Sequence, residues 1–307
     1  MQSVYVITYD IGTTGVKTCV FEIGSKITLK GFASEGYGLY VLPNGGAEQD
    51  PDEWWTAMCN TTKKALSEAV VSGDDISGIS FCSQMQGLVL VDKDGKALRR
   101  SMSYMDQRAE AELKEGIAHG LQIAGANVFK LLKSLKITGA VAASVKDPVY
   151  KYKWVEKNEP EIFNKVYKWL DVKEYLICRM TGEFVMTHDS AFATLLYDIR
   201  KGKRCFSEAM CKMHGVNIDH LPEIKNSTDK VGTLKADAAR ELGLKEGIAV
   251  FGGGGDASLI GVGAGSVNLG DTHIYSGTSG WVSTVVDKSI VDANAMIAAI
   301  VGAQEDK

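Results

Sequence analysis

The sequence has few of the residues that build metal or disulfide sites, and it has no long apolar run. Its six cysteines are scattered without a CxxC pair, so we expect reduced, mostly buried thiols, as in a cytoplasmic protein. Its five histidines lack ligand spacing, which argues against a zinc site. No apolar run approaches membrane-spanning length and no signal-peptide pattern opens the chain, so a membrane span is not expected.

Positive charge is also in short supply. The formal net charge is −4, so the chain has no electrostatic footprint for nucleic acid or a membrane surface. A phosphate ligand would have to be held by local donors. Two common nucleotide motifs are missing as well: there is no GxxxxGK[ST] segment, and the glycines between Gly261 and Gly265 lack the spacing of a dinucleotide fingerprint.

The length of 307 residues suits one large domain or two smaller ones. A return to strand-like sequence near residue 247 predicts a division around Leu244–Gly247, into residues 1–246 and 247–307. The second part is short for an independent domain.

The opening of the chain predicts a β-hairpin. A β-branched run ends at Asp10, a Gly-Thr-Thr-Gly turn follows, and a second apolar run begins at Val16. A third strand is expected over residues 26–35. Asp50 and Glu53 then predict a capping box that opens a helix, which we expect to end at Gly73.

The remaining pattern predicts an α/β protein, a mixed sheet with helices on its faces. Strands are expected over residues 76–82 and 88–91. The chain is then mainly helical, with three glycines as helix C-caps, Gly182, Gly215 and Gly243. The predicted helices cover residues 107–120, 149–158, 171–182, 207–214 and 234–242.

The turn of the first hairpin has the composition of a phosphate-binding loop. Glycines let backbone N–H groups approach an anion, threonines add hydroxyl donors, a lysine adds charge, and a carboxylate at the strand end can hold Mg²⁺. The residues concerned are Asp10, Gly12, Thr13, Thr14 and Lys17. On this turn alone an ordinary hairpin is the favoured interpretation. A second strand–turn–strand copy, with Gly277, Thr278 and Ser279 in its turn, suggests a duplicated lobe whose two turns face one ligand.

Three further segments are candidates for chemistry, and each has a structural alternative. Gln84, Met85 and Gln86 follow a strand, where amides could bind the hydroxyls of a polyol or merely connect two strands. Asp106 with Arg108 could bind a hydroxylated ligand, or Asp106 could cap a helix. Asp256 follows four glycines and could act as a general base, or cap a helix.

Taken in chain order, these motifs resemble the FGGY family of carbohydrate kinases, and the segment from Asp10 to Thr14 is most similar to that family. A helix with Lys151 and Trp154 resembles a family signature, although we expect packing with a snorkelling lysine stem rather than ligand contact. Gln86 stands where the family has His, and Tyr104 where it often has Trp. Resemblance covers almost the whole chain.

The resemblance implies an actin-like ATPase (ribonuclease H-like) fold, with a complete first lobe and the beginning of a second. It implies MgATP-dependent phosphorylation of a small sugar or polyol such as xylulose. Asp256 would be the base and, with Asp10, a metal ligand. The first turn, with Gly12, Thr13, Thr14 and Lys17, and the second, with Gly277, Thr278 and Ser279, would hold ATP. The sugar would contact Gln84, Met85, Gln86, Asp106, Arg108 and Asp256.

In the family, the adenosine-binding glycine motif lies well downstream of the second turn. The sequence runs only to Lys307, so we expect no counterpart of that motif within it. The alternative is therefore a catalytically incompetent sugar-binding fragment. A third interpretation is an actin-fold ATPase without a sugar, which the sugar-lobe matches disfavour. Strands around Ile274 and over residues 282–286 would be left with an unpaired edge. We expect them to be poorly ordered or to pair with another copy, in a homodimer or with a second chain that completes the lobe.

Overall fold

The computed structural model describes residues 3–117, 121–123, 126–276, 280–290 and 299–304. The longer strands are β1 (Val4–Ile11), β2 (Gly15–Ile23), β3 (Ile27–Gly36) and β6 (Ile76–Ser83). The shorter strands are β4 (Tyr40–Val41), β5 (Ala47–Gln49), β7 (Val89–Val91), β8 (Ser101–Met102), β9 (Gln122–Ile123), β10 (Ala126–Asn127), β11 (Lys168–Leu170), β12 (Val185–Thr187), β13 (Tyr197–Asp198), β14 (Cys205–Phe206), β15 (Glu223–Lys225), β16 (Lys230–Thr233), β17 (Ala249–Phe251), β18 (Gly254–Gly255), β19 (Thr272–Ser276) and β20 (Gly280–Thr284).

The helices alternate with these short strands. They are α1 (Pro51–Ala69), α2 (Glu110–Gly116), α3 (Val128–Thr138), α4 (Pro148–Asn158), α5 (Pro160–Phe163), α6 (Val172–Thr181), α7 (His188–Ala193), α8 (Glu208–His214), α9 (Ala236–Leu242) and α10 (Asp256–Gly263). Short 3₁₀ turns cover Gly73–Asp75 and Ile218–His220.

A mixed seven-stranded sheet organises the molecule, in the order β16-β17-β6-β1-β2-β3, with β18 also paired to β6. The predicted hairpin and third strand are confirmed, since β1, β2 and β3 form an antiparallel meander. In contrast, β6 runs parallel to β1, β17 and β18. The carboxyl ends of these parallel strands meet at one edge of the sheet, where α/β proteins place their ligand sites.

Helix α1 covers the antiparallel part of the sheet. Trp54, Met58 and Ala65 are fully buried on one face of it, as an amphipathic helix requires. The main core joins this face to the sheet and to α6 and α9. A second cluster, which includes Leu90 and Trp169, packs α4 and α8 on the β7–β11 pair.

The contact between α1 and β3 depends on Gly31. A Cβ at Gly31 would lie 2.2 Å from the backbone oxygen of Ala65 and 2.8 Å from the amide nitrogen of Ala69. Because both are backbone atoms, neither can rotate away. We expect Gly31→Ala to lower the free energy of unfolding by about 3 kcal/mol, the upper part of the overpacking range, in urea denaturation.

The control for this prediction lies on the same strand. Thr28 is exposed, so Thr28→Ala should change the free energy of unfolding by less than about 0.5 kcal/mol. Equal stability of the two variants would contradict the close helix–strand approach.

Several predicted helix ends are wrong. Asp50 does cap α1, accepting from the Asp52 amide at 3.0 Å. Glu53 closes no capping box, because its carboxylate accepts from the Gly38 amide at 2.8 Å and from the Tyr40 hydroxyl. The helix stops before Gly73, at Val70, which takes a left-handed conformation with φ of 53°.

Other helix predictions fared better. Gly182, Gly215 and Gly243 each follow the end of a helix and take the left-handed backbone conformation, as predicted.

Two helices in the middle of the chain differ from the prediction. The expected helix over residues 107–120 is shorter, since α2 covers only Glu110–Gly116. Helix α3 was not predicted. Its apolar residues recur at helical spacing, a signal that could have indicated the helix, although Phe129 and Leu132 lie exposed.

Cysteine usage agrees in part with the prediction. All six thiols are free, and Cys59, Cys178 and Cys211 are buried. Cys205 is exposed and the other two are half-buried. Among the described residues, no helix has the length and apolarity that crossing a membrane requires.

Candidate functional site

Side chains from other segments hold the β1–β2 turn by donating hydrogen bonds to its backbone carbonyl groups. The carbonyl oxygen of Gly12 accepts from the Tyr37 hydroxyl at 2.5 Å and from Gln84 Nε2 at 3.1 Å. In the described part of the chain, the amide N–H groups of Thr13 and Thr14 have no hydrogen-bond partner. Consecutive unpaired N–H groups in a glycine-flanked turn can bind an anion such as a phosphate by donating hydrogen bonds to it.

Asp10 stands at the end of β1, directly before this turn. It is half-exposed, and its Oδ2 lies 2.9 Å from Lys17 Nζ across the hairpin. The ion pair raises the pKa of Lys17, chiefly through the hydrogen bond to Asp10. Since exposed pairs are worth little, Lys17 can exchange Asp10 for a phosphate oxygen at small cost.

Sheet register brings Asp256 to the same edge. Asp10 and Gly254 are both aligned with Cys82 of β6, one on each side. Neighbouring strands lie about 4.8 Å apart, so the backbones of Asp10 and Gly254 are about 10 Å apart. Asp256 follows β18 and opens α10 at its first helical position, while Gly255 is the N-cap residue. The alternative prediction that Asp256 itself caps the helix is therefore wrong.

The environment of Asp256, including the nearby charge of Asp10, changes the acidity of its carboxyl group. Burial raises the pKa of the Asp256 carboxyl above its usual range, the Ala257 amide opposes this by donating to it, and the negative charge of Asp10 adds to the rise. Burial together with both carboxylates also raises the pKa of the Cys82 thiol to about 12. In the described residues Asp256 forms no ion pair, so its carboxylate is available.

The pair of carboxylates suits a magnesium ion. Mg²⁺ is usually bound through one or two carboxylates and completes its shell with water and substrate phosphate oxygens. Asp10 and Asp256 are two carboxylates on this edge of the sheet, beside the unpaired amides of the turn. No cluster of three or more potential ligands occurs in the part of the chain that the structure describes.

A buried polar network, which sequence analysis missed, binds the residues on either side of Asp256. Asp189 is buried, and its Oδ2 accepts from the Gly255 amide at 2.7 Å and from the Ser258 hydroxyl at 2.5 Å. Burial would raise the pKa of Asp189, but the nearby Lys173 and these hydrogen bonds hold it below its usual range. Asp189 therefore fixes the residues on both sides of Asp256.

Lys173 is the cation of this network and is fully buried. Its Nζ donates to Glu174, to Thr187 Oγ1 at 2.6 Å and to Ser190 Oγ at 2.9 Å. Thr187 in turn donates to Asp189. The only sequence signal was a Lys-Glu pair on the inner face of a helix otherwise lined by apolar residues.

Met85 lies against the glycine before Asp256. A Cβ at Gly255 would meet Met85 Sδ at 2.1 Å. Because the half-buried methionine side chain is flexible and can shift, we expect Gly255→Ala to lower the free energy of unfolding by about 1 kcal/mol, the lower end of the overpacking range, measured by urea denaturation.

Gly263, at the other end of α10, offers a matched control. A Cβ there has no neighbour within 4 Å, so Gly263→Ala should leave stability unchanged or raise it slightly through helix propensity. A loss as large as that of Gly255→Ala would refute the close packing of Met85 on this glycine.

Gln84 and Gln86 lie in the turn that follows β6. Gln84 is buried, and its Nε2 also donates to Gln49 Oε1 at 2.7 Å, so its amide braces the β1–β2 turn. Gln86 is half-buried and has a left-handed backbone with φ of 63°. Its backbone is bound by Asp171 and Lys151.

The structure corrects the interpretation of Lys151. A snorkelling stem was expected, yet the side chain is fully buried and its ammonium donates to backbone carbonyls. Burial lowers the pKa of Lys151 to about 8, against the opposing negative charges of Asp171, Asp106 and Asp147.

Asp106 and Arg108 belong to a buried ion-pair cluster. Asp106 is fully buried, accepts from the Ala47 amide at 2.9 Å and contacts Arg108 Nη2 at 2.8 Å. The Arg108 guanidinium also contacts Glu48 at 2.7 Å and stacks over the Trp154 ring at 4.4 Å. Asp106 does not cap a helix, because α2 begins later, so that alternative is wrong.

The second predicted turn cannot be compared with the first. Gly277, Thr278 and Ser279 lie outside the described residues. Their flanking strands β19 and β20 do form the predicted antiparallel hairpin, with Ser276 aligned to Gly280. His273 of this hairpin packs on α10, because a Cβ at Gly261 would lie 2.9 Å from its Cε1.

Comparison with known proteins shows which proteins this chain is similar to. Residues 5–263 match the N-terminal domain of the FGGY family of carbohydrate kinases. A xylulose kinase of Bacillus subtilis is 32% identical over 276 residues, which cover 90% of this chain and 52% of that protein. A gluconokinase of the same species is 28% identical and covers 95% of this chain and 54% of that protein. The chain thus spans about half the length of these relatives.

Solved structures show the same architecture. Gluconate kinase from Lactobacillus acidophilus superposes with a TM-score of 0.82 at 25% identity, over 96% of this chain and 56% of that one. Ligand-bound xylulose kinase from the same species gives a TM-score of 0.81 at 25% identity, over 95% and 56%. The actin-like ATPase fold predicted from the sequence is therefore confirmed.

Proposed function

Because the chain belongs to the FGGY family of carbohydrate kinases, we propose that it supports phosphoryl transfer from MgATP to a hydroxyl group of a small sugar or polyol. A pentulose such as xylulose is the first candidate, since several similar relatives are named xylulose kinase. One observation carries the proposal: Asp10 and Asp256 flank the end of β6, and Asp256 forms no ion pair in the described part of the chain.

Asp256 would act as the general base. A carboxylate with a raised pKa accepts a proton at neutral pH more readily than an ordinary aspartate does. The proton of the sugar hydroxyl passes to the Asp256 carboxylate as the sugar oxygen forms a bond to the γ-phosphorus. The bond from the γ-phosphorus to the β,γ-bridging oxygen breaks, and ADP leaves with the bonding electrons. Catalysis of this reaction is chiefly positioning and charge stabilisation.

The nucleotide would lie along the first turn. The open amides of Thr13 and Thr14 would bind its phosphates, with Gly12 permitting close approach and Lys17 supplying charge. Asp10 and Asp256 would hold Mg²⁺, whose charge offsets the negative charge of the phosphates when it is bound. Gly277, Thr278 and Ser279 remain proposed phosphate contacts from the other side.

The sugar would bind beside the β6 turn. Met85 and Gln86 are half-exposed there. Gln84, Asp106 and Arg108 also remain proposed contacts, although the structure shows them already bonded to protein groups. For these three, sugar binding would require exchange of a present hydrogen bond.

A second candidate function is a sugar-binding chain that turns over no ATP. The observation that favours it is the match to only 52–54% of the relatives' length. Asp256 and the sugar residues would then still form the binding surface, but no phosphoryl transfer would follow.

The deciding experiment measures binding and turnover separately on the 307-residue chain. Melting temperature is recorded with xylulose, gluconate and glycerol, with and without MgATP, since a ligand that binds the folded state raises it. ADP release is then followed with each sugar. Sugar-dependent release supports the kinase, and binding without release supports the second candidate. Release that does not depend on sugar would favour an actin-fold ATPase instead.

We also propose the association of this chain with a second copy or a complementary chain. Ile274 and Val282 of the β19–β20 hairpin are 77% and 68% exposed, and an uncovered apolar strand pair favours association. Light scattering after size exclusion tests this. The domain division near Leu244–Gly247 and a cytoplasmic location stay predictions.

A further inference from the structure

The turn between β6 and β7 has a strained residue at its centre. Gln86 has a φ of 63°, a left-handed conformation that costs a residue with a side chain roughly 1–2 kcal/mol. Such residues persist only where the surroundings hold them in place. Its neighbours Gln84 and Met85 complete the segment proposed to contact the sugar.

Asp171 holds this turn by its amides. Its Oδ2 accepts from the Gln86 amide at 2.8 Å, and its Oδ1 accepts from the Gly87 amide at 2.8 Å. The same Oδ1 caps α6 by accepting from the Val172 amide at 2.8 Å. A Cβ at Gly87 would lie 2.7 Å from Asp171 Oδ1, so the close approach of the carboxylate requires glycine. Asp171 therefore anchors the turn to a helix.

Lys151 holds the same turn by its carbonyl group. Its Nζ donates to the Gln86 carbonyl oxygen at 2.5 Å and to the Ser103 carbonyl oxygen at 3.0 Å. The Ser103 oxygen also accepts from the Asp106 amide at 3.0 Å. One buried ammonium thus connects the β6 turn with the turn before Arg108. These are the two segments that carry the proposed sugar contacts apart from Asp256.

We propose that Lys151 and Asp171 are positioning residues of the sugar site, which together hold Gln86 in its left-handed conformation and fix the distance between the two sugar-binding segments. The proposal rests on the proposed function for its ligand. Neither side chain needs to touch the sugar, since both are buried and act on backbone groups.

The consequence is a selective effect on sugar binding. Without the Lys151 ammonium, the carbonyl oxygens of Gln86 and Ser103 lose a charged donor and the two turns can separate. The first turn, which we assign to phosphate binding, is not bound by Lys151 or Asp171. Sugar affinity should therefore fall far more than nucleotide affinity.

Lys151→Met, which keeps the stem and removes the donor, tests this directly. We expect the dissociation constant for xylulose to rise roughly ten- to a hundredfold, the loss of one hydrogen bond to a charged group, in isothermal titration calorimetry. The dissociation constant for MgATP should change less than about threefold. Amide exchange of the segment 84–88 should accelerate. Asp171→Asn, which keeps one acceptor oxygen, should show smaller effects than Asp171→Ala.

Matched controls separate positioning from general destabilisation. Val155→Ala in α4 and Ile177→Ala in α6 each shorten a buried side chain on the same helices. They should lower the melting temperature without accelerating exchange at residues 84–88 or weakening xylulose binding.

Two results would overturn the proposal: wild-type xylulose affinity in Lys151→Met and Asp171→Ala, or the same loss of affinity in the controls. If the wild-type chain binds no sugar, the proposed function fails by itself. Exchange then decides the positioning role, which is rejected if residues 84–88 stay as protected in the variants as in the wild type.

Discussion

Asp256→Asn is expected to lower sugar-dependent ADP release roughly 10²- to 10⁴-fold, the usual contribution of a general base. The amide is nearly isosteric but accepts no proton at neutral pH. Xylulose affinity should stay within about threefold of the wild type, because Asn retains a hydrogen-bonding oxygen. The measurement is a coupled ADP assay at saturating sugar, together with calorimetry for binding.

The pH profile makes this prediction more specific. Because burial and the charge of Asp10 raise the pKa of Asp256, its carboxyl should titrate with a midpoint above the usual range for aspartate in the chain without Mg²⁺, as an NMR titration measures. Asp10→Asn removes the neighbouring negative charge, so the midpoint should move to lower pH. The same variant should need more Mg²⁺ for half-maximal rate, since one of two proposed ligands is lost.

Asp94→Asn is the control, because Asp94 lies in an exposed turn remote in the sequence from both carboxylates. It should leave rate, pH profile and Mg²⁺ requirement unchanged. Full activity in Asp256→Asn would contradict the assignment of the base. Binding without release in the wild type would instead support the second candidate function.

Local features of the fold were predictable from the sequence. The first hairpin was evident because β-branched residues and a glycine-threonine turn act over neighbouring residues. Gly182 and Gly243 were recognisable as helix ends, since a left-handed C-cap is a property of a single residue. The end of α1 was not, because Val70 takes that conformation without being glycine.

The predictions that were wrong concern side chains whose hydrogen-bond partners lie far away in the sequence. Glu53 could have closed a capping box, but the fold places the Gly38 amide within 2.8 Å of its carboxylate. Asp106 accepts from Ala47, 59 positions away, and no local pattern could reveal that. The same applies to Lys151, because a lysine before tryptophan on a helix is usually a surface residue.

The candidate site likewise contains some residues that local sequence patterns revealed and others that they did not. Asp10 and Asp256 were identified because each follows a glycine-rich or strand-end pattern and because the motifs resemble those of a family. That they meet across β6 follows from parallel register, which the sequence does not specify. Asp189 and Lys173 were missed, since charged residues in a buried helix are rare and carry no motif.

The second large effect concerns Lys173. Lys173→Met is expected to lower the free energy of unfolding by about 3–5 kcal/mol, the cost of removing one partner from a buried ion pair. The carboxylates of Glu174 and Asp189 would be left without their cation, and Glu174 Oε2 already lacks a hydrogen-bond partner in the described part of the chain. Urea denaturation followed by circular dichroism measures the loss.

Two comparisons make the interpretation of Lys173→Met specific. Lys64→Met removes an ion pair whose lysine is 61% exposed and should cost at most about 1 kcal/mol. The double variant Lys173→Met/Glu174→Gln should recover part of the loss, because it removes one of the uncompensated carboxylates, and this coupling is what a double-mutant cycle measures. If Lys173→Met costs no more than Lys64→Met, the buried network does not stabilise the protein. Because Asp189 joins that network to Gly255, acceleration of amide exchange at Gly255 in Lys173→Met would link the stability of the core directly to the placement of Asp256.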